Sequence, residues 1–125
     1  MRFTIAIIWI VLIAILHVIP GSDFPEVSFS SFFQIDKLIH AILFLVASYL
    51  LAIAWVERQK SGFLHYIVIA LIAYGLVLEL LQGLVFVERS ADILDWLADS
   101  IGVLLGVVIF HKFPFAVPRN SAKKD

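Results

Sequence analysis

The chain has 125 residues, of which 62% are AVILMFWYC and only 15% are charged; that balance excludes a water-soluble globule. Nine Lys+Arg against ten Asp+Glu leave a formal net charge of −1, which excludes a nucleic-acid partner, whose phosphates demand a basic excess. With no Cys there are no disulfides, thiolate metal sites or Cys nucleophiles.

A helix of about 17 to 25 apolar residues crosses the hydrocarbon, where lipid offers an unpaired peptide group no partner. Four segments fit, and they predict an all-α fold, a four-helix transmembrane bundle in one domain over 1–113. The first span, 3–19, follows Arg2 and is closed by Pro20-Gly21. It differs from a signal peptide in lacking a small-x-small cleavage pattern before Gly21. Residues 20–35 then carry Phe24, Phe29, Phe32 and Phe33 among serines, prolines and acids. Aromatic rings favour the headgroup level, so this stretch reads as a short re-entrant or surface segment. The second span, 38–56, opens behind Asp36 and Lys37, contains His40, and ends in the charged turn Glu57–Gly62. The third, 63–85, is interrupted by Glu79 and Gln82, and a short loop with Arg89 follows it. The fourth, 93–110, follows Asp92 and contains Asp95 and Asp99. Residues 114–125 carry two prolines, Arg119, Lys123 and Lys124, the pattern of a flexible basic tail.

Lys and Arg concentrate in cytoplasmic loops. Arg2, Arg58, Lys60, Lys112, Arg119, Lys123 and Lys124 lie on one side of the four spans, and only Lys37 and Arg89 on the other. Both termini are therefore expected in the cytoplasm, with the first and third loops outside. Trp55 then fits the inner aromatic belt and Trp96 the outer one.

An ionisable group inside a span is expensive, about 2.5 to 3.5 kcal/mol on insertion scales, so it normally faces a partner or a wet cavity. Here such groups share one depth. His40 lies roughly 6 Å below Asp36, while Glu79 and Gln82 stand about 24 and 28 Å along the third span from Phe63. Asp92, Asp95 and Asp99 descend the first turns of the fourth span, and His17 sits at the same end of the first. They also share faces: Asp95, Asp99, Gly102 and Gly106 recur at i, i+4, i+7 and i+11, within roughly 60° of one another. Gly75 and Glu79 are likewise four apart. The Gly102/Gly106 pair permits close helix packing, within the chain or in a homo-oligomer. The expected object is an outward-opening polar pocket built from Asp36, Lys37, His40, Glu79, Gln82, Arg89, Asp92, Asp95 and Asp99.

At these residues the sequence resembles the VanZ-like family of small bacterial membrane proteins, named for a teicoplanin-resistance protein. The stretch runs from Asp36 to Gly106: Asp36-Lys37-Leu38-Ile39-His40, Glu79-Leu80-Leu81-Gln82, Arg89-Ser90-Ala91-Asp92, and Asp95-Trp96-Leu97-Ala98-Asp99-Ser100-Ile101-Gly102. No block is specific alone; their order, each at a helix end, is. Ser100 stands where the family often has Asn, and the helix after His40 is less aromatic than the family's; neither departure touches the acids. The resemblance implies a multi-pass protein of the bacterial inner membrane whose relative lowers sensitivity to a lipoglycopeptide, without fixing a reaction.

Three functions are compatible with such a pocket. It could bind an envelope lipid headgroup, a lipid-linked precursor or a lipoglycopeptide, with Asp36, Lys37, Gln82, Arg89, Asp92 and Asp99 as ligand contacts. It could be an enzyme on the same lipids, with His40, Glu79 and Asp95 in acid/base roles. It could be a structural network with neither. No cofactor is obligatory; a hard divalent cation such as Mg²⁺ would suit Glu79, Asp95 and Asp99. Proton or ion transport is disfavoured, because the inner halves of the spans lack Asp, Glu, Lys and Arg.

Overall fold

The computed structural model describes residues 1–18, 29–56, 62–85 and 91–113, with side chains in the second stretch from Ile35 onward. These residues form α1 (Arg2–Val18), α2 (Phe29–Val56), α3 (Leu64–Val85) and α4 (Ile93–Lys112), with no strand among them. Ile35–Val56 within α2, all of α3 and all of α4 are long and apolar enough to cross a membrane. The apolar α1 has 17 residues and rises only about 25 Å, so it is the short member of the bundle. Large side chains such as Ile8, Tyr66 and Leu84 are exposed on the outer faces, where a multi-pass protein meets lipid.

The helix ends agree with the predicted spans to within a residue or two, except at the start of α2. That helix begins at Phe29, inside the stretch read as a surface segment and well before residue 38. No Gly or Pro occurs between Phe29 and Val56, so nothing interrupts the helix, and its 28 residues carry it about 42 Å, beyond the hydrocarbon. The remainder of the aromatic loop and the tail from 114 lie outside the described residues.

α2 and α4 form the principal interface, and glycine is the cause. A Cβ on Gly102 would run into the carbonyl group of Ala41, and one on Gly106 into Ser48 Oγ and the carbonyl of Leu45. The α4 backbone therefore lies directly on that of α2. α3 packs on α4, α1 packs on α2 and α3, and α1 and α4 stand at opposite corners. The core between them contains Ile13, Phe44, Ala47, Ala52 and Val103, all fully buried. Polar side chains fasten the helices through main-chain carbonyls: Trp9 Nε1 donates to Leu43 (3.0 Å), Tyr74 Oη to Ile10 (2.8 Å) and Trp96 Nε1 to Ile72 (3.0 Å). Trp96, expected in an outer belt, thus ties α4 to α3.

Candidate functional site

Asp92 organises the entrance to α4. Its backbone is extended (φ −107°, ψ 111°) and its Oδ1 accepts the Leu94 N–H at 2.8 Å, the geometry of an N-cap. Its own N–H donates to Glu79 Oε2 at 3.2 Å, which fastens the end of α3 to the start of α4. Nearby, a Cβ on Gly83 would lie 3.1 Å from the Ala91 nitrogen, so a small residue is needed where the two helices approach. Burial pushes the Asp92 carboxyl up, but the Leu94 N–H and then the Lys37 ammonium outweigh it and hold the carboxyl below its ordinary value. Asp92 is therefore an anion at neutral pH, as its ion pair requires.

From this cap the site descends in two tiers. The upper tier is partly exposed. Lys37 Nζ bridges two carboxylates of α4, Asp95 Oδ1 at 2.7 Å and Asp92 Oδ2 at 3.0 Å, and Asp36 stands beside it with a quarter of its side chain exposed. The lower tier is buried. His40 Nδ1 lies 3.0 Å from Asp99 Oδ1 and 4.0 Å from Glu79 Oε1, and His40 Nε2 lies 3.9 Å from Asp36 Oδ1. The His17 ring meets the His40 ring edge-on, with centroids 4.8 Å apart. Exposures of 4% for His17, 7% for His40, 2% for Glu79 and 0% for Asp99 mark this tier as buried, and Asp95, at 8%, stands at the junction of the two.

The helices build the lower tier by simple spacing. Asp36 and His40, and Asp95 and Asp99, are successive turns of one face. Asp99 fits because α3 has a glycine opposite: a Cβ at Gly75 would stand 3.0 Å from Asp99 Oδ2. Two carboxylate oxygens in this tier, Glu79 Oε1 and Asp99 Oδ2, are buried and accept no hydrogen bond. Ligand atoms of His17, His40, Glu79 and Asp99 all lie within 4.8 Å of one another, and a second such group joins Asp36, His40 and Asp95.

Of the nine residues expected to line an open pocket, Asp36, Lys37, His40, Glu79, Asp92, Asp95 and Asp99 do converge at one end of the bundle, where they meet one another directly. Gln82 is buried there too, but its Nε2 donates to the His17 carbonyl at 2.9 Å, so it clamps α1. Arg89 lies outside the described residues. Gly75, Gly102 and Gly106 act at helix contacts within the chain. Among the three candidates for a hard cation, Glu79 and Asp99 come together with two histidines, while Asp95 falls in the other group and is held by Lys37. His17, which the sequence left at the margin, belongs to the lower tier; its place in the last turn of α1 was the signal. A cleft of about 260 Å³ lies at the opposite helix ends, lined by apolar and aromatic side chains including Phe3, Leu51, Trp55 and Phe63.

Comparison with known proteins adds one positive finding. The family model described as VanZ/LLP1 matches residues 3–115, all four helices and both tiers. No curated protein and no solved structure matches.

Proposed function

The chain belongs to the VanZ/LLP1 family, and on that premise we propose that it binds the polar headgroup of an envelope lipid or lipid-linked precursor at the outer face of the bacterial cytoplasmic membrane. A lipoglycopeptide such as teicoplanin would engage the same groups, and its capture would lower sensitivity to the drug. The upper tier is the observation that carries this reading: a half-buried ammonium between two carboxylates, with Asp36 beside it, on the way to a buried polar layer. A headgroup phosphate would exchange onto Lys37, with Arg89 as the expected second cation, and its amine or hydroxyl donors would take the released carboxylates. A structural network alone has less reason to keep charges in this tier, where apolar packing costs less.

The outward orientation rests on the Lys/Arg bias of the loops. Single cysteines at Ser22 and Ser90 are expected to react with an impermeant maleimide in intact cells, and one at Ser61 is not. The reverse pattern would sink the proposed orientation.

Binding is tested with purified protein in nanodiscs against phosphatidylethanolamine, phosphatidylglycerol, undecaprenyl phosphate and teicoplanin. Saturable binding to at least one is expected, weakened tenfold or more by Lys37→Ala, about 1.4 kcal/mol, with helicity unchanged. No saturable binding to any of the four would refute the reading. A second reading draws on the His40–Asp99 pair at 3.0 Å with Glu79 alongside, an acid/base arrangement for turnover of the bound headgroup. Mass spectra of the same incubations decide it: a product that disappears with Glu79→Gln marks an enzyme, and intact lipid marks a binder.

A further inference from the structure

We infer that the lower tier is a transition-metal site of the Zn²⁺ class, with His17, His40, Glu79 and Asp99 as its four protein ligands. The inference stands apart from headgroup binding, which uses the upper tier. Four helices would meet at the ion in pairs of donors: one imidazole each from α1 and α2, one carboxylate each from α3 and α4.

The donors are already gathered. Their ligand atoms all lie within 4.8 Å of one another, and His40 Nδ1 stands 3.0 Å from Asp99 Oδ1 and 4.0 Å from Glu79 Oε1. Ligands held about 2.0 to 2.2 Å from a tetrahedral Zn²⁺ are about 3.3 Å apart, so side-chain torsions suffice to close the shell. The His17 ring is also turned as a ligating imidazole is. A carbonyl can only accept, so His17 Nδ1 donates to Ile13 at 2.8 Å and Nε2 carries the ring's lone pair. An acceptor behind one ring nitrogen and the ion before the other is the usual outer support of a metal-bound histidine. His40 presents its Nδ1 to the acids, 3.0 Å from Asp99 Oδ1, with the Asp36 carboxylate 3.9 Å from its Nε2, beyond direct hydrogen-bond range.

Two further observations point to a cation. Glu79 Oε1 and Asp99 Oδ2 are buried without a hydrogen bond on residues only 2% and 0% exposed, and one dication answers both while balancing two carboxylates. The Lys37 ammonium is engaged a turn above by Asp92 and Asp95. Mg²⁺ prefers oxygen and water; two imidazoles with two carboxylates suit a borderline ion such as Zn²⁺.

The test uses the purified full chain in detergent and Zn²⁺ alone. One equivalent of Zn²⁺ is expected after dialysis against a weak chelator, with thermal stabilisation that EDTA reverses. Affinity should fall at least tenfold in His17→Gln and Glu79→Gln and stay within threefold in Asp95→Asn. Absence of stoichiometric Zn²⁺ in the wild-type protein overturns the inference. So does loss of Zn²⁺ in Asp95→Asn with retention in His17→Gln, which would place the ion at Asp36, His40 and Asp95. Should the His17 variant not fold, X-ray absorption on the wild-type Zn²⁺ complex decides: two imidazoles support the site, one or none rejects it. Headgroup binding is read separately through Lys37→Ala, so either result can fail without the other.

Discussion

Gly106→Ala is expected to destabilise the bundle by more than about 2 kcal/mol, although alanine is the better helix former by roughly 1 kcal/mol. The sign reverses because of what the added carbon meets. At this position it would overlap Ser48 Oγ and the Leu45 carbonyl. The serine can turn aside, but the carbonyl belongs to the α2 main chain and moves only if the helix moves. Overpacking of this kind typically costs about 1 to 3 kcal/mol, and separating α2 from α4 would also open the stack that aligns Asp99 with His40. Gly106→Leu should leave no folded bundle at all. Unfolding in mixed micelles with increasing SDS measures both, with Leu105→Ala on the exposed side of α4 as a near-neutral control. Wild-type unfolding of Gly106→Ala would mean that the two backbones are not in contact.

Asp99→Ala should cost about 2 kcal/mol, roughly half from the lost His40 bond and half from the cavity left beside Gly75 and Phe44. The glycine gives this prediction a second arm. A Cβ at Gly75 would stand 3.0 Å from Asp99 Oδ2 and 3.4 Å from Asp99 Cβ, so Gly75→Ala alone should also destabilise. Once Asp99 is truncated, that methyl has room, and the double variant should be more stable than the sum of the single losses by about 1 kcal/mol. Strict additivity in the same SDS titration would separate the two positions and remove Asp99 from the place described for it. Asp99→Asn keeps the shape and should lose less than half as much stability, yet it should weaken Zn²⁺ binding as Glu79→Gln does.

Much of this was legible from spacing. Asp95, Asp99, Gly102 and Gly106 recur at helical intervals, and a residue's height along a span follows from its distance to the span's end. These two facts put the acids at one level and the glycines beneath them, and the structure agrees. Spacing does not tell whether converging groups leave room between them. That depends on Gly75 opposite Asp99 and on Lys37 reaching from α2 to Asp95, both contacts between helices. It does not reveal where an amphipathic lead-in becomes helix, so Phe29 looked like part of a loop. Nor does it distinguish Gln82 aimed at the acids from Gln82 aimed at the His17 carbonyl, since both keep the residue buried. His17 looked marginal because α1 carries no second polar residue on the same face to reinforce it.

The way α1 is held has a consequence for how freely its sequence can drift. Tyr74 and Gln82 of α3 grip it by the carbonyls of Ile10 and His17, and every amino acid supplies a carbonyl. Only Ala6, Ile13 and His17 turn fully inward. A foreign apolar helix grafted in place of α1, with those three side chains and Trp9, which donates to the Leu43 carbonyl, restored at the same intervals, should dock as the original does.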